Sequence, residues 1–458
     1  MRLFAACAAF VALAASASAL VIPRDANDPF YTPDDGWKDK QPGDILKWRS
    51  IQPKFLEQDY SVAEAYQLLY RTSHNHADEP SHTVTTILIP HNAKRDHLVV
   101  GSSAQDANGP QCSPSAGYTY NSASNILFML DETIFMQYLN EGYVLTVPDK
   151  EGPIGAFAAG RMEGHMVLDG IRATLNFDKI NLPKDTRIAG YGYSGGAISL
   201  GWAASLKPVY APELNVIAWS MGGTPVTLKD TIDTLDSTLF SGLVVSGITG
   251  VMDAYPEIYQ RMNKYINDNG HEAIAFAKKN CAVDVIFKYP FKSIYSYEFQ
   301  TKGATIFDDP VIQAMFKETN MGQHPKLTPD APVFMYHAVH DGIIPYDPAH
   351  TTAKSWCANG AQVYFETYSH IEHGHITTEF TGSVPAFHYI RDRFNGKPAP
   401  SGCHFVDEGT LFFDPSVLGG VASQIANDLF ALFGKKIGPE SKILAAKQKV
   451  VLKPGQTY

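Results

Sequence analysis

A serine flanked by glycines stands at the centre of the stretch Arg187-Ile188-Ala189-Gly190-Tyr191-Gly192-Tyr193-Ser194-Gly195-Gly196-Ala197. Gly192-Tyr193-Ser194-Gly195-Gly196 fits the pattern G-x-S-x-G, in which a strand reverses sharply into a helix and leaves the serine hydroxyl exposed at the apex. The glycines have a steric reason, because a Cβ beside the serine would collide where the two backbones meet. The N-terminus of the following helix offers free N–H groups to a negative oxygen. A serine in that position is a nucleophile that still needs a base and a group to orient the base.

Downstream loops supply both. The run Val333-Phe334-Met335-Tyr336-His337-Ala338 reads as a strand and gives way to Asp341-Gly342-Ile343. Asp341 is where a carboxylate can reach an imidazole. Asp347 is the competitor, further from the strand end and beside Pro348. The next strand ends in Tyr368-Ser369-His370-Ile371-Glu372-His373-Gly374-His375. His375 directly precedes Ile376-Thr377-Thr378, where a helix can begin, and is read as the base, with His373 as the alternative. His337, His340 and His350 are read as structural or surface residues. No HExxH helix or matched acidic pattern turns the histidine cluster into a metal site.

Stabilising the oxyanion takes two donors. Gly195, after the nucleophile, supplies one. The other is expected from the loop Ser103-Ala104-Gln105-Asp106, which follows an earlier strand. Asp106 is assigned there by position, since no HGGG motif is present.

These residues need a scaffold. Strand-like runs at 65–72, 83–89, 98–102, 143–147, 187–191 and 216–220 alternate from residue 98 onward with helical spacing at 126–139, 163–176 and 197–206. That alternation predicts an α/β protein with a mostly parallel sheet covered on both faces. It stops near Thr224 and resumes at Val333. Residues 226–328 read as a helical cap, or lid, inserted between a first part of the core, 20–225, and a second part with a C-terminal tail, 329–458. Residues 20–58 read as an irregular arm, 386–394 as a closing helix and 449–452 as a final strand. Leu239 to Val245 and Ile248 to Met252, inside the cap, have no obvious polar face. Part of that surface is expected to line an acyl tunnel or meet a lipid interface, the alternative being that these segments form the cap's own core.

Composition narrows the function. The chain has 458 residues, 45% of them hydrophobic, and a formal net charge of −10. Without a basic run, nucleic acid and anionic membrane are not expected partners. Residues 1–19 read as a signal peptide: Arg2, an apolar core from Leu3 to Leu13, then Ala17-Ser18-Ala19. No transmembrane segment is expected, and the chain is expected to be secreted and monomeric. Cys7 leaves with the signal peptide. Cys112, Cys281, Cys357 and Cys403 remain, an even number suited to an oxidising compartment, with three pairings open.

Several segments together resemble the fungal secretory lipase family, of the lipase A type. They include Ser103-Ala104-Gln105-Asp106, Val147-Pro148-Asp149-Lys150-Glu151-Gly152-Pro153, Leu168-Asp169-Gly170-Ile171-Arg172-Ala173 and the serine turn itself. Gly222-Gly223-Thr224-Pro225, Tyr336-His337-Ala338-Val339-His340-Asp341 and His375-Ile376-Thr377-Thr378-Glu379 belong to the same set. The resemblance implies an α/β-hydrolase with a helical cap that cleaves carboxylic esters without a cofactor. It implies Ser194, Asp341 and His375 as the triad, Asp106 and Gly195 at the oxyanion hole, and the bridges Cys112–Cys281 and Cys357–Cys403. The leading expectation is a triacylglycerol lipase working on an ester or lipid substrate at a lipid–water interface. The alternatives are an esterase for a smaller ester, such as an acetylated metabolite, and a non-catalytic binding protein of the same fold.

Overall fold

The computed structural model describes residues 28–55, 58–120, 126–432 and 434–439. The signal-peptide residues 1–19, Cys7 and the strand expected at 449–452 lie outside them.

Ten strands form one sheet. In chain order they are β1 (Ile45–Ser50), β2 (Glu64–Ser73), β3 (Pro80–Ile89), β4 (Lys94–Ser102), β5 (Tyr143–Pro148), β6 (Arg187–Tyr193), β7 (Val216–Gly222), β8 (Val333–Ala338), β9 (Val363–Tyr368) and β10 (Cys403–Asp407). Their spatial order is β1-β2-β3-β5-β4-β6-β7-β8-β9-β10. The pairs β1/β2, β2/β3 and β3/β5 are antiparallel, and every pair from β5/β4 to β9/β10 is parallel.

β1 corrects the reading of residues 20–58 as irregular. Its residues Lys47, Trp48 and Arg49 are only partly buried or exposed, so it lacks the apolar run of a central strand. Pairing with β2, not its own composition, makes it a strand. The central strands do carry that run: all six residues of β5 and of β8 are buried. Both of their faces are covered, so alternation with polar residues would leave polar groups in the core.

Helices cover the two faces. On one side lie α2 (Gly160–Leu175) and α3 (Gly195–Tyr210), which share a core with Ile188 of β6 and Met335 of β8. On the other, α1 (Ile126–Asn140) packs with Ala189 and Tyr191 of β6 and Tyr336 of β8. Successive strand residues therefore point to opposite cores, as the period of two requires.

Between β7 and β8 the chain is helical: α4 (Leu228–Leu235), α5 (Gly242–Ala254), α6 (Pro256–Met262), α7 (Asp268–Ala277), α8 (Ala282–Lys288) and α9 (Pro310–Thr319). After β8 come α10 (Tyr346–Ala358), α11 (His375–Phe394) and α12 (Pro415–Leu432). α11 joins the helix start read at Ile376 and the closing helix read at 386–394 into one element. Cys112 is bonded to Cys281 and Cys357 to Cys403. The first bond links the loop after β4 to the start of α8, and the second links α10 to β10.

Candidate active site

Ser194 sits between β6 and α3 with φ 52° and ψ −123°. Left-handed φ in a non-glycine residue costs about 1–3 kcal/mol and persists only where its surroundings fix it. The glycines on either side explain how they do. A Cβ on Gly192 would lie 2.7 Å from the Gly196 carbonyl oxygen, and one on Gly196 would lie 2.0 Å from that of Ser102. Strand, turn and helix can close this tightly only with hydrogen at both places. The Ser194 N–H donates to the Gly222 carbonyl at 3.0 Å, which ties the turn to β7.

His375 opens α11. Its Nε2 is 2.8 Å from Ser194 Oγ, and its Nδ1 is 2.7 Å from Asp341 Oδ2. The Tyr193 hydroxyl donates to the His375 carbonyl at 2.8 Å, so the residue before the serine also holds the backbone of the histidine. Asp341 follows β8. Its Oδ1 accepts the N–H groups of Ile343 and Ile344, both at 2.9 Å. Burial works to raise the Asp341 pKa, but the neighbouring His375 and His337 overcome it and hold the carboxyl well below its ordinary range.

The other sequence candidates separate cleanly. Asp347 is exposed in the first turn of α10. His340 is exposed and His370 pairs with Glu372. His373 is buried, and its Nε2 accepts the Leu411 N–H at 3.1 Å with Thr410 Oγ1 at the same distance. Burial first, then the nearby His370, lower its pKa to about 4. His337 was read from the sequence as a structural or surface residue. It is buried, with Nε2 3.4 Å from Asp341 Oδ2 and 3.1 Å from the Ile344 carbonyl oxygen. Its position four residues before Asp341, on the same strand-to-turn segment, was the available signal.

Gly195 and Asp106 also meet. A Cβ on Gly195 would fall 1.8 Å from Asp106 Oδ1. Asp106 is buried, its Oδ1 has no hydrogen-bond partner, and its backbone N–H points to the Ala104 carbonyl at 2.5 Å. Burial raises its carboxyl to about 7.

A cavity opens at Ser194, Gly195 and Asp106. From there its wall is almost wholly apolar: Leu235 of α4, Leu243, Val244 and Ile248 of α5, Met262 of α6 and Phe316 of α9 contribute to it. This accounts for the apolar side of α5, since its polar residues Ser246, Thr249 and Asp253 recur at helical spacing on the other. Part of its apolar surface faces the empty space rather than other side chains. Such a wall suits hydrocarbon, with Ser194, Gly195 and Asp106 at one end. Among the described residues no helix is long and apolar enough to cross a membrane, and no group of three or more His, Cys, Asp or Glu residues is placed to hold a metal ion.

Comparison with known proteins shows the family. A family model described as secretory lipase matches residues 119–402. The chain is 64% identical over 433 residues to secreted triacylglycerol lipase LIP1 of Malassezia furfur, covering 94% of this chain and 89% of that protein. It is 42% identical to secreted triacylglycerol lipase LIP2 of Malassezia globosa, covering 97% and 99%. Its structure resembles the crystal structure of Candida antarctica lipase A with a TM-score of 0.78 at 30% identity, covering 92% and 99% of the two chains. The fold is accordingly that of an α/β-hydrolase. A family model matched across the centre of the chain and 64% identity to a relative over 94% of it agree, and this chain belongs to the secretory lipase family.

Proposed function

We propose that this chain is a secreted serine ester hydrolase that cleaves triacylglycerols through an acyl-enzyme on Ser194. The observation that carries the reading is the contact series Ser194–His375–Asp341, at 2.8 and 2.7 Å, set at the mouth of an apolar cavity. His375 Nε2 takes the Ser194 proton as Oγ attacks the ester carbonyl, and Asp341 holds the ring by its Nδ1–H and stabilises the imidazolium. The tetrahedral oxygen is received beside Gly195 and Asp106. His375 then returns the proton to the leaving alcohol, and water releases the acid by the same sequence run in reverse.

The acyl chain occupies the cavity under α4–α9. Residues 226–328 act as the cap over the core segments 20–225 and 329–458, and Cys112–Cys281 anchors the cap beside the oxyanion loop. One chain contributes the nucleophile, base and acid, which supports action as a monomer. The names of the relatives support secretion and triacylglycerol as substrate.

The test is turnover of p-nitrophenyl esters from acetate to palmitate and of emulsified triglyceride, by wild type and Ser194→Ala. Wild type should hydrolyse the long esters and the emulsion, and Ser194→Ala should lose at least about 10⁴-fold while staying folded. Activity confined to acetate and propionate would refute the lipase reading.

A further inference from the structure

β4 ends at Ser102, and the chain turns through Ser103-Ala104-Gln105-Asp106 to the edge of the cavity. The turn is strained. Gln105 has φ 51° and Asp106 φ 53°, and neither is glycine. The Asp106 N–H closing on the Ala104 carbonyl makes a three-residue turn with a left-handed centre, an uncommon and unfavourable arrangement. Two such residues in succession cost about 1–3 kcal/mol each, so something must hold the chain on at least one side.

One side chain from another element does. Asp131 of α1 is completely buried, and its Oδ2 accepts both the Ser103 hydroxyl and the Ala104 N–H, each at 2.8 Å. Its Oδ1 has no partner. A buried carboxyl with a lone unsatisfied oxygen is costly, and a helix that needed only to pack here would carry leucine or alanine. Burial raises the carboxyl to about 7, and the Ala104 N–H, the Ser103 hydroxyl and Lys150 work against that rise. The grip on the loop, together with Lys150, therefore opposes the penalty of burial.

We infer that Asp131 is a positioning residue for the oxyanion site: by clasping Ser103 and Ala104 it fixes the strained turn and so sets where Asp106 stands against Gly195. The inference rests on the proposed acyl transfer at Ser194. It assigns Asp131 no contact with substrate. With its N–H turned to the Ala104 carbonyl, Asp106 can donate to the tetrahedral oxygen only through its carboxyl, whose unpartnered Oδ1 stands beside Gly195, and such a donor matters more in the transition state than in the ground state. Loosening its support should therefore lower kcat and leave KM nearly unchanged. A carbonyl oxygen can accept two donors as a carboxylate oxygen does, so the amide of asparagine should preserve the grip.

The experiment compares wild type, Asp131→Asn, Asp131→Leu and Ser103→Ala on a soluble ester such as p-nitrophenyl octanoate. The second readout is binding of a boronic acid, whose tetrahedral serine adduct carries the oxyanion. Removing an oxyanion donor outright costs about 10²–10³-fold, so Asp131→Leu, which only displaces one, should lower kcat about 10- to 100-fold. Its KM should hold within about 3-fold, and its boronate affinity should weaken by the same factor as kcat/KM. Asp131→Asn should stay within about 3-fold of wild type, and Ser103→Ala should fall between the two. Unchanged kcat in Asp131→Leu would overturn the inference. So would an equal loss in the leucine and asparagine variants, or a change in KM alone. If Asp131→Leu does not fold, Ser103→Ala decides, and wild-type kcat there overturns the inference. A wild type that neither hydrolyses the ester nor binds the boronate would instead defeat the proposed function.

Discussion

His373 and His375 stand two residues apart and turn their rings to different neighbours. His375 bridges Ser194 and Asp341, whereas His373 receives the Leu411 N–H on Nε2 and reaches neither. A nitrogen that accepts a backbone N–H is unavailable as a base toward a serine. His375→Ala should therefore lower kcat by at least about 10³-fold. His373→Ala should keep activity within about 5-fold but lose about 1–3 kcal/mol of stability, because it strands the Leu411 N–H. Ester kinetics paired with urea unfolding separates the two effects, and the reverse pattern would move the base to His373.

The wall of the cavity should set acyl-chain preference. Leu243 and Val244 both face it from α5. Burying one methylene contributes about 0.8 kcal/mol, roughly a factor of four, so blocking several positions should weigh heavily on long chains. Leu243→Trp or Val244→Phe should lower kcat/KM for palmitate by at least about 10-fold and change that for butyrate by less than about 3-fold. An equal effect at every chain length would show that these residues serve only to pack the helices.

Stability should fall as pH rises toward 8. Burial raises Asp106, Asp131, Glu366 and Asp428 to about 7 and Glu132 to about 8. In the unfolded chain such groups titrate near 4. Between those values the folded state holds protons that the unfolded state has lost, so stability decreases with pH and the contribution is gone above the folded pKa. His165 and His373, each lowered to about 4 by burial, act in the opposite sense, but only up to about 6.5, the unfolded value. Above that only the carboxyls remain. Thermal unfolding at pH 6.5 and 8 should show the lower Tm at pH 8, and a higher Tm at pH 8 would contradict the buried-carboxyl account.

Much of the site was legible because its signals are local. Ser194 is marked by glycines that steric contact demands, and Asp341 by a strand running into a turn. The choice between His373 and His375 was not local. A shift of two residues at the start of α11 decides which ring meets Ser194, and only packing fixes that. Asp131 gave no signal, since an aspartate within a helical pattern looks solvated until the loop it grips is brought beside it. The same holds for the fold. β5 and β8 are buried along their whole length and mostly apolar, with Thr146 and His337 the exceptions, and read as strands, whereas the edge strands β1 and β10 carry mixed residues and exist through their neighbours.

Non-reducing peptide mapping should recover Cys112 joined to Cys281 and Cys357 joined to Cys403. Free thiols or crossed peptides would refute that pairing.

The spacing of these bonds bears on how the chain is made. Cys112 precedes its partner by 169 residues, and Cys357 precedes its own by 46. At about 5–20 residues per second, roughly 8 to 34 s separate the emergence of the first two. The next cysteine to appear after Cys112 is already the correct one, and the same is true after Cys357. Each bond joins neighbours in the order of synthesis, so a chain entering an oxidising compartment from its N-terminus can complete one before the other begins. A mature chain, without Cys7, refolding from the reduced state meets all four thiols at once, and it would have to choose among three pairings that vectorial synthesis never presents together.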